Sequence, residues 1–214
     1  MYQKIEGGNY RQIFVVGDLH GCFKMLLATL EEHDFDREND LLISVGDLID
    51  RGENSLECLA LLEQPWFCAV LGNHEQMAIE ALFEGQIENW LINGGDWYLA
   101  LEDEPQIEAA RLISHCRTLP LIIELIVDDK RTIIAHADYP ADRYHFNKPV
   151  NREDVVWNRR RVHLALHGKS KPIAGADLFI FGHTPLQTPF RVSNQLYLDT
   201  GAVFGGYLTL HRLK

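Results

Sequence analysis

Short, almost wholly apolar runs recur along the chain, separated by longer stretches whose apolar positions follow a helical period. IFVV (13–16), LLISV (41–45), CAVL (68–71), TIIA (132–135) and LFIF (178–181) leave no polar face for water, as strands buried on both sides do. LYL (196–198) and YLTLHRL (207–213) predict two more strands, the last with an alternating pattern. Between them, CFKMLLATLEEH (22–33) and NSLECLALLEQ (54–64) place apolar residues at helical spacing. NHEQMAIEALFEG (73–85) predicts a helix stopped by Gly85, and EPQIEAARLISHCRTL (104–119) one that opens with an acidic turn and ends before Pro120. Strands alternating with helices predict an α/β protein.

With 214 residues, 46% of them hydrophobic, the chain can bury one sizeable core, so residues 1–214 are expected to form a single domain. It carries no internal repeat and no low-complexity tract. There is no run of about 18 apolar residues, and the opening MYQKIEGGNYRQ lacks the apolar segment of a signal peptide, so a cytoplasmic protein without membrane attachment is expected. Cys22, Cys58, Cys68 and Cys116 share no metal-binding spacing and sit in apolar or helical contexts, which predicts reduced packing residues. The formal net charge of -11 counts against nucleic acid as a partner.

Chemistry gathers at the strand ends. The first five runs are followed by GDLHG, GDLIDRG, GNHE, HAD and GHTP, each of which offers a metal-binding residue at once or after one glycine. Open α/β sheets bind their ligands beyond the carboxyl ends of strands, so these loops are expected to converge on one crevice. Singly, each motif is equally well a turn, a helix cap or a hydrogen-bonded histidine; in series they supply Asp18, His20, Asp47, Asn73, His136 and His183. Oxygen and imidazole donors without a thiolate suit manganese, iron or zinc. Six donors exceed what one catalytic ion needs, whereas two divalent ions sharing a carboxylate would use them all, with Asp47 the candidate bridge.

The motif series resembles that of the phosphoprotein phosphatase branch of the calcineurin-like metallophosphoesterases, most closely the bacteriophage lambda-type and small bacterial serine/threonine phosphatases. The likeness runs through YRQIFVVGDLHGC, DLLISVGDLIDRG, GNHEQM, NGGDW, IAHADYP, WNR, FGHTP and LDTGAVFGG, nearly the whole chain. It implies a central β-sandwich of two mixed sheets flanked by helices, in place of a simple doubly wound sheet. It also implies a first metal on Asp18, His20 and Asp47 and a second on Asp47, Asn73, His136 and His183, manganese before iron or zinc. Arg51 and Arg159 would grip phosphate oxygens, a task that suits the planar guanidinium fork; His74 would be the general acid and Asp50 its orienting carboxylate.

The activity so implied is hydrolysis of phosphoserine or phosphothreonine monoesters, with phosphotyrosine as a further substrate, by attack of a hydroxide bridging the two metals. Phosphoproteins or phosphopeptides would be the partners, with no obligatory regulatory subunit. The alternative on the same scaffold is a dinucleoside tetraphosphate hydrolase, against which the complete Asp50-Arg51-Gly52 and Glu75 of GNHE weigh. A metallo-nuclease is disfavoured by Pro185 where GHxH is expected, and a metal-holding binding module would have no use for the Asp50 and His74 pair.

Overall fold

The computed structural model describes residues 1–214. Along the chain run β1 (Tyr2–Glu6), β2 (Ile13–Val16), α1 (Phe23–Glu32), β3 (Leu41–Ser44), α2 (Ser55–Ala60), β4 (Phe67–Ala69), α3 (Asn73–Glu84), α4 (Ile87–Ile92) and α5 (Asp103–Cys116). Then follow β5 (Ile122–Val127), β6 (Lys130–Ala135), α6 (Arg152–Val156), α7 (Arg160–Leu166), β7 (Leu178–Phe181), β8 (Phe190–Val192), β9 (Gln195–Tyr197) and β10 (Leu210–Arg212). Every predicted strand and helix is present, and α3 does end at Gly85, which takes the left-handed conformation at φ 75°.

The strands form two mixed sheets, one in the order β1-β5-β6-β7-β9-β8 and one in the order β10-β2-β3-β4. Alternation along the strands explains how they stack. Ile13, Val15, Leu41, Ile43 and Val45 of the smaller sheet and Ile123, Leu125, Ile134, Ile180, Leu196 and Leu198 of the larger form one buried layer. The intervening side chains, among them Phe14, Val16, Leu42, Ile133, Phe179 and Phe181, point the other way and pack under the helices with Leu26, Leu59, Met77, Leu112 and Val162. Both faces of each central strand are therefore dry, which is why its sequence is a continuous apolar run. The simple α/β pattern read from the runs becomes a sandwich, as the family resemblance implied.

Three strands have no counterpart among the predicted ones. β1 lies at a sheet edge with only Tyr2 and Ile5 half-buried, and β8 is a three-residue edge strand, so neither carries a readable pattern. β5 is different: LIIELIV (121–127) is as apolar as the runs recognised as strands, with the buried Glu124 interrupting it. α4, α6 and α7, of 6, 5 and 7 residues, are too short for a helical period to show. CAVL is also displaced, because β4 ends at Ala69 and the rest of the run leads into the loop before Asn73.

Topology places the site. β2, β3 and β4 are mutually parallel, so the loops after them leave from one edge of the smaller sheet. β6, β7 and β9 are parallel in the larger sheet and likewise send their following loops to one edge. No helix is long and apolar enough to cross a membrane. All four cysteines are free thiols, Cys58 and Cys116 buried and Cys22 and Cys68 half-buried.

Ile43 is wholly buried between the sheets, so Ile43→Ala leaves a cavity that its neighbours cannot fill. A loss of about 2–5 kcal/mol is expected by urea denaturation; an unchanged midpoint at unchanged slope would mean that this layer is not close-packed.

Candidate metal centre and phosphate site

Asp47 is the hub of the converging loops. Its Oδ2 lies 3.3 Å from His136 Nε2, 3.7 Å from His20 Nε2 and 4.0 Å from His74 Nε2, while Oδ1 accepts the backbone N–H of His74 at 3.0 Å. Two clusters with the spacing of a metal site share it: His20, Asp47 and His74 on one side, Asp47, His136 and His183 on the other. Asn73 joins the second through Oδ1, 2.9 Å from His136 Nε2. Asp18, expected beside His20 and Asp47, belongs to neither cluster; both its oxygens accept the backbone N–H of His183, at 3.0 and 3.1 Å. All six donors expected from the strand ends are buried and brought to one place. His74 stands nearer to Asp47 and His20 than the sequence reading allowed for, which had no reason to place it inside a metal-sized cluster.

Each imidazole is held by one nitrogen so that the other faces inward. His20 Nδ1 meets the carbonyl of Ile49 at 2.9 Å and His136 Nδ1 that of Val45 at 2.7 Å, which fixes Nδ1 as the protonated atom and leaves Nε2 for the site. Arg51 Nη1 donates to His20 Nε2 at 2.6 Å. His183 Nε2 is buried without any partner.

The backbone bears strain here. His20, Asp47, Asp50, Arg51 and His183 all have positive φ, between 42° and 75°, a conformation unusual for residues with a side chain. Glycine contributes mainly by yielding room: a Cβ at Gly182 would collide with Asp18 and one at Gly72 with Asp47. The strained loop is tied down by Glu75, whose carboxylate accepts the backbone N–H of Asp47 at 2.9 Å, of Leu48 at 2.7 Å and of Gly72 at 3.0 Å.

Charge is concentrated to match. Asp18, Asp47, Asp50, Glu75 and Asp199 are all buried around the cluster. Burial, with Asp199 next, pushes the Asp18 carboxyl well up; burial, then Asp47, pushes Glu75 up to about 7. Burial acts upward on Asp47 too, but His136 and His74 outweigh it and hold that carboxylate well below the ordinary range. Burial lowers His20 and His183 to about 3, so both are neutral imidazoles. In His136 burial is overcome by Asp47, which raises the ring to about 10. The cage thus favours positive charge at its centre. Nitrogen and oxygen donors, neutral imidazoles and the orphaned His183 Nε2 fit divalent cations there.

Around the cage stand the remaining expected residues. His74 Nδ1 donates to Asp50 Oδ2 at 2.6 Å. Arg51 and Arg159 are exposed, and Arg159 is near enough to His183 to lower its pKa. Spacing does not separate Arg159 from Arg160 and Arg161; the WNR match selects Arg159. In the fold, Arg161 is occupied by a half-buried ion pair with Asp138 at 2.6 Å and by the carbonyls of Tyr139 and Ala141, and Asn158 Nδ2 also donates to Asp138. Asp138 therefore anchors the segment through Asn158 and Arg161; of the two arginines without such a bond, Arg159 is the one that acts on His183.

Two carboxylates were missed. Glu75 entered only as a family marker, and its three backbone acceptor contacts depend on a tertiary approach. Asp199 directly follows Leu198 after β9, and the rule applied to the other strand ends would have found it. It accepts the N–H of Gly201 at 2.9 Å and faces Asp18.

A family model described as calcineurin-like phosphoesterase matches residues 11–187. The chain is 51% identical to the serine/threonine-protein phosphatase 1 of Salmonella typhimurium, over 100% of this chain and 97% of that protein. It is 28% identical to an asymmetrical bis(5'-nucleosyl)-tetraphosphatase of Anoxybacillus flavithermus, over 92% of this chain and 89% of the relative. A solved protein serine/threonine phosphatase of Saccharomyces cerevisiae superposes with a TM-score of 0.60 at 14% identity, covering 92% of this chain and 70% of that one, a likeness of fold.

Glu75→Ala would strand the buried N–H groups of Asp47, Leu48 and Gly72. At about 1–3 kcal/mol for each unsatisfied group, a loss of several kcal/mol is expected in denaturant unfolding; a loss below about 1 kcal/mol would show that the loop does not depend on this carboxylate. Asp47→Asn should lower manganese retained after gel filtration to half or less by elemental analysis, and full retention would remove Asp47 from its shared position.

Proposed function

The chain belongs to the calcineurin-like phosphoesterase family, and on that footing we propose that it is a metal-dependent phosphoprotein phosphatase acting on phosphoserine and phosphothreonine, with phosphotyrosine as a further substrate. The observation that carries this is the buried Asp50–His74 pair beside the Asp47 hub, 2.6 Å apart, with His74 Nε2 turned inward 4.0 Å from Asp47 Oδ2. A serine or threonine oxygen is a poor leaving group and needs a proton as it departs. His74, bonded to Asp50 through Nδ1, presents Nε2 as the atom from which that proton would come. The 51% identity to a serine/threonine-protein phosphatase over both full lengths supports the same conclusion.

Asp18, His20 and Asp47 would hold one divalent cation and Asp47, Asn73, His136 and His183 the other, manganese fitting first and iron or zinc next. Bound there, the pair would supply an activated water and neutralise charge on the phosphoryl oxygens. The chain's own residues do the rest. Arg51 and Arg159 would each offer a guanidinium to the phosphate, and the carbonyls of Ile49 and Val45 keep His20 and His136 in the tautomer that presents Nε2. Glu75 positions the loop bearing Asp47, and Asp138 positions the segment bearing Arg159.

Residues 1–214 are proposed as one domain. The pairing of β1 with β5 and of β10 with β2 supports this, because each terminal strand is part of a sheet. A phosphoprotein or phosphopeptide is the proposed partner, without an obligatory regulatory subunit, and the cytoplasm the proposed compartment; four free thiols suit a reducing one.

His74→Asn should cost roughly 10²- to 10⁴-fold on a phosphoserine peptide and much less on p-nitrophenyl phosphate, whose leaving group needs little help. Equal losses on the two would remove His74 from the acid role. Manganese-loaded enzyme assayed on phosphopeptide and on diadenosine tetraphosphate should favour the peptide, with activity lost to EDTA and restored by manganese. A preference for the tetraphosphate would overturn the protein phosphatase assignment in favour of the reaction named for the more distant relative.

A further inference from the structure

Asp50 is bonded by two donors to which the motif series assigns no role: Trp90, outside every motif, and Trp97, the last residue of NGGDW (93–97). Its carboxylate is fully buried. Besides the His74 bond, it accepts Nε1–H of Trp97 on Oδ1 at 2.8 Å, and Nε1–H of Trp90 lies 3.0 Å from both oxygens. Its backbone N–H is bonded to Ser55 Oγ at 3.0 Å. Two indoles on one carboxylate are costly to assemble, since each must bring a large ring to the same buried point.

The two rings come from a short segment, α4 and the single 3₁₀ turn Gly95–Tyr98, that contributes no metal donor. They meet edge to face, with centroids 6.2 Å apart at 89°, and Tyr98 packs on Trp90 at 5.4 Å and on Trp97 at 6.1 Å. Close approach depends on the paired glycines before Trp97. A Cβ on Gly95 would lie 2.6 Å from the Trp90 ring, and one on Gly94, at φ 103°, 2.9 Å from Cγ of Arg51. The carbonyl of Gly94 also accepts the backbone N–H of Arg51 at 3.3 Å. Asp96, the acid within this motif, is exposed and takes no part.

We propose that Trp90 and Trp97 are positioning residues for proton transfer: their N–H groups fix the carboxylate of Asp50, which fixes the ring of His74 with Nε2 toward the departing oxygen. This rests on the acid role of His74 proposed above. An ionised carboxylate offers about four acceptor sites, and His74 with two indoles leaves it little freedom to turn. Indole suits the task because it donates and does not accept, so it cannot compete with Asp50 for the Nδ1 proton. The backbone contact of Gly94 lets the same segment set Arg51, which follows Asp50 in the chain, so the orienting carboxylate and the phosphate clamp are aligned together.

Trp97→Phe keeps a ring and deletes the donor; replacing Trp97 by its benzothiophene analogue deletes the donor with the shape kept. Either change should lower turnover of a phosphoserine peptide about tenfold, a fraction of the 10²- to 10⁴-fold typical of a general acid, and turnover of p-nitrophenyl phosphate less than about threefold. KM and manganese content should stay near wild type. The Nδ1 proton of His74 should also move upfield in the NMR spectrum as its bond to Asp50 loosens.

If both substrates slow alike, or the peptide is unaffected, while His74→Asn still separates them, the tryptophans do not position the acid and the acid role stands. If His74→Asn fails to separate the substrates, the acid role falls and this inference falls with it. Should Trp97→Phe fail to fold, the benzothiophene variant gives the same decision.

Discussion

Everything at the site is arranged around one buried carboxylate oxygen. Asp47 Oδ2 has three imidazole nitrogens within 4.0 Å, its side chain is almost wholly buried, and four further buried acids lie nearby. So much negative charge cannot be kept from water without compensation. Asp47 pushes the pKa of His136 up to about 10 against its burial, while burial pushes His20 and His183 down to about 3. Such an imbalance suits divalent cations, and the Asp47 carboxylate belongs to both donor clusters.

Holding such a cluster together requires a scaffold that does not relax. The sandwich provides it by pointing parallel strands from two sheets at a common edge, so that Asp47 of one sheet reaches His136 of the other. Strain accumulates in the loops rather than the strands, in the positive φ angles of His20, Asp47, Asp50, Arg51 and His183. Buried backbone acceptors on Val45 and Ile49 and the carboxylate of Glu75 keep those loops from unwinding. The continuous apolar strands thus serve function indirectly, because a layer dry on both sides resists the local opening that would release the strain.

Outside the cage, functional groups are sorted by what they are bonded to. Of the neighbouring Arg159, Arg160 and Arg161, the last is consumed by Asp138 and two carbonyls. Of the two acids in GDLIDRG, Asp47 faces the imidazoles of His20, His74 and His136, and Asp50 faces His74 and a pair of indoles. Three adjacent side chains of one short loop, Leu48, Ile49 and Asp50, are wholly buried, and Arg51 beside them is exposed. That division lets a single turn both anchor in the core and present a guanidinium at the surface.

The sequence by itself determined the elements that rest on local chemistry. Continuous apolar runs marked central strands, glycine and proline marked helix ends, and donors directly after strands marked six residues that do meet. Asp199 was legible by the same rule and β5 by the same apolar pattern, although Glu124 and the following turn obscured the latter. Edge strands β1 and β8 and the short helices lacked enough residues for any period to appear. Only the tertiary structure decided that the sheets stack, that Glu75 reaches back to the Asp47 loop, that Arg161 is spent on Asp138, and that Trp90 and Trp97 close on Asp50 across 40 and 47 residues of chain. The reason is physical: periodicity reports which face of an element is dry, whereas a hydrogen bond between distant residues exists only once the chain has paid the entropy of bringing them together.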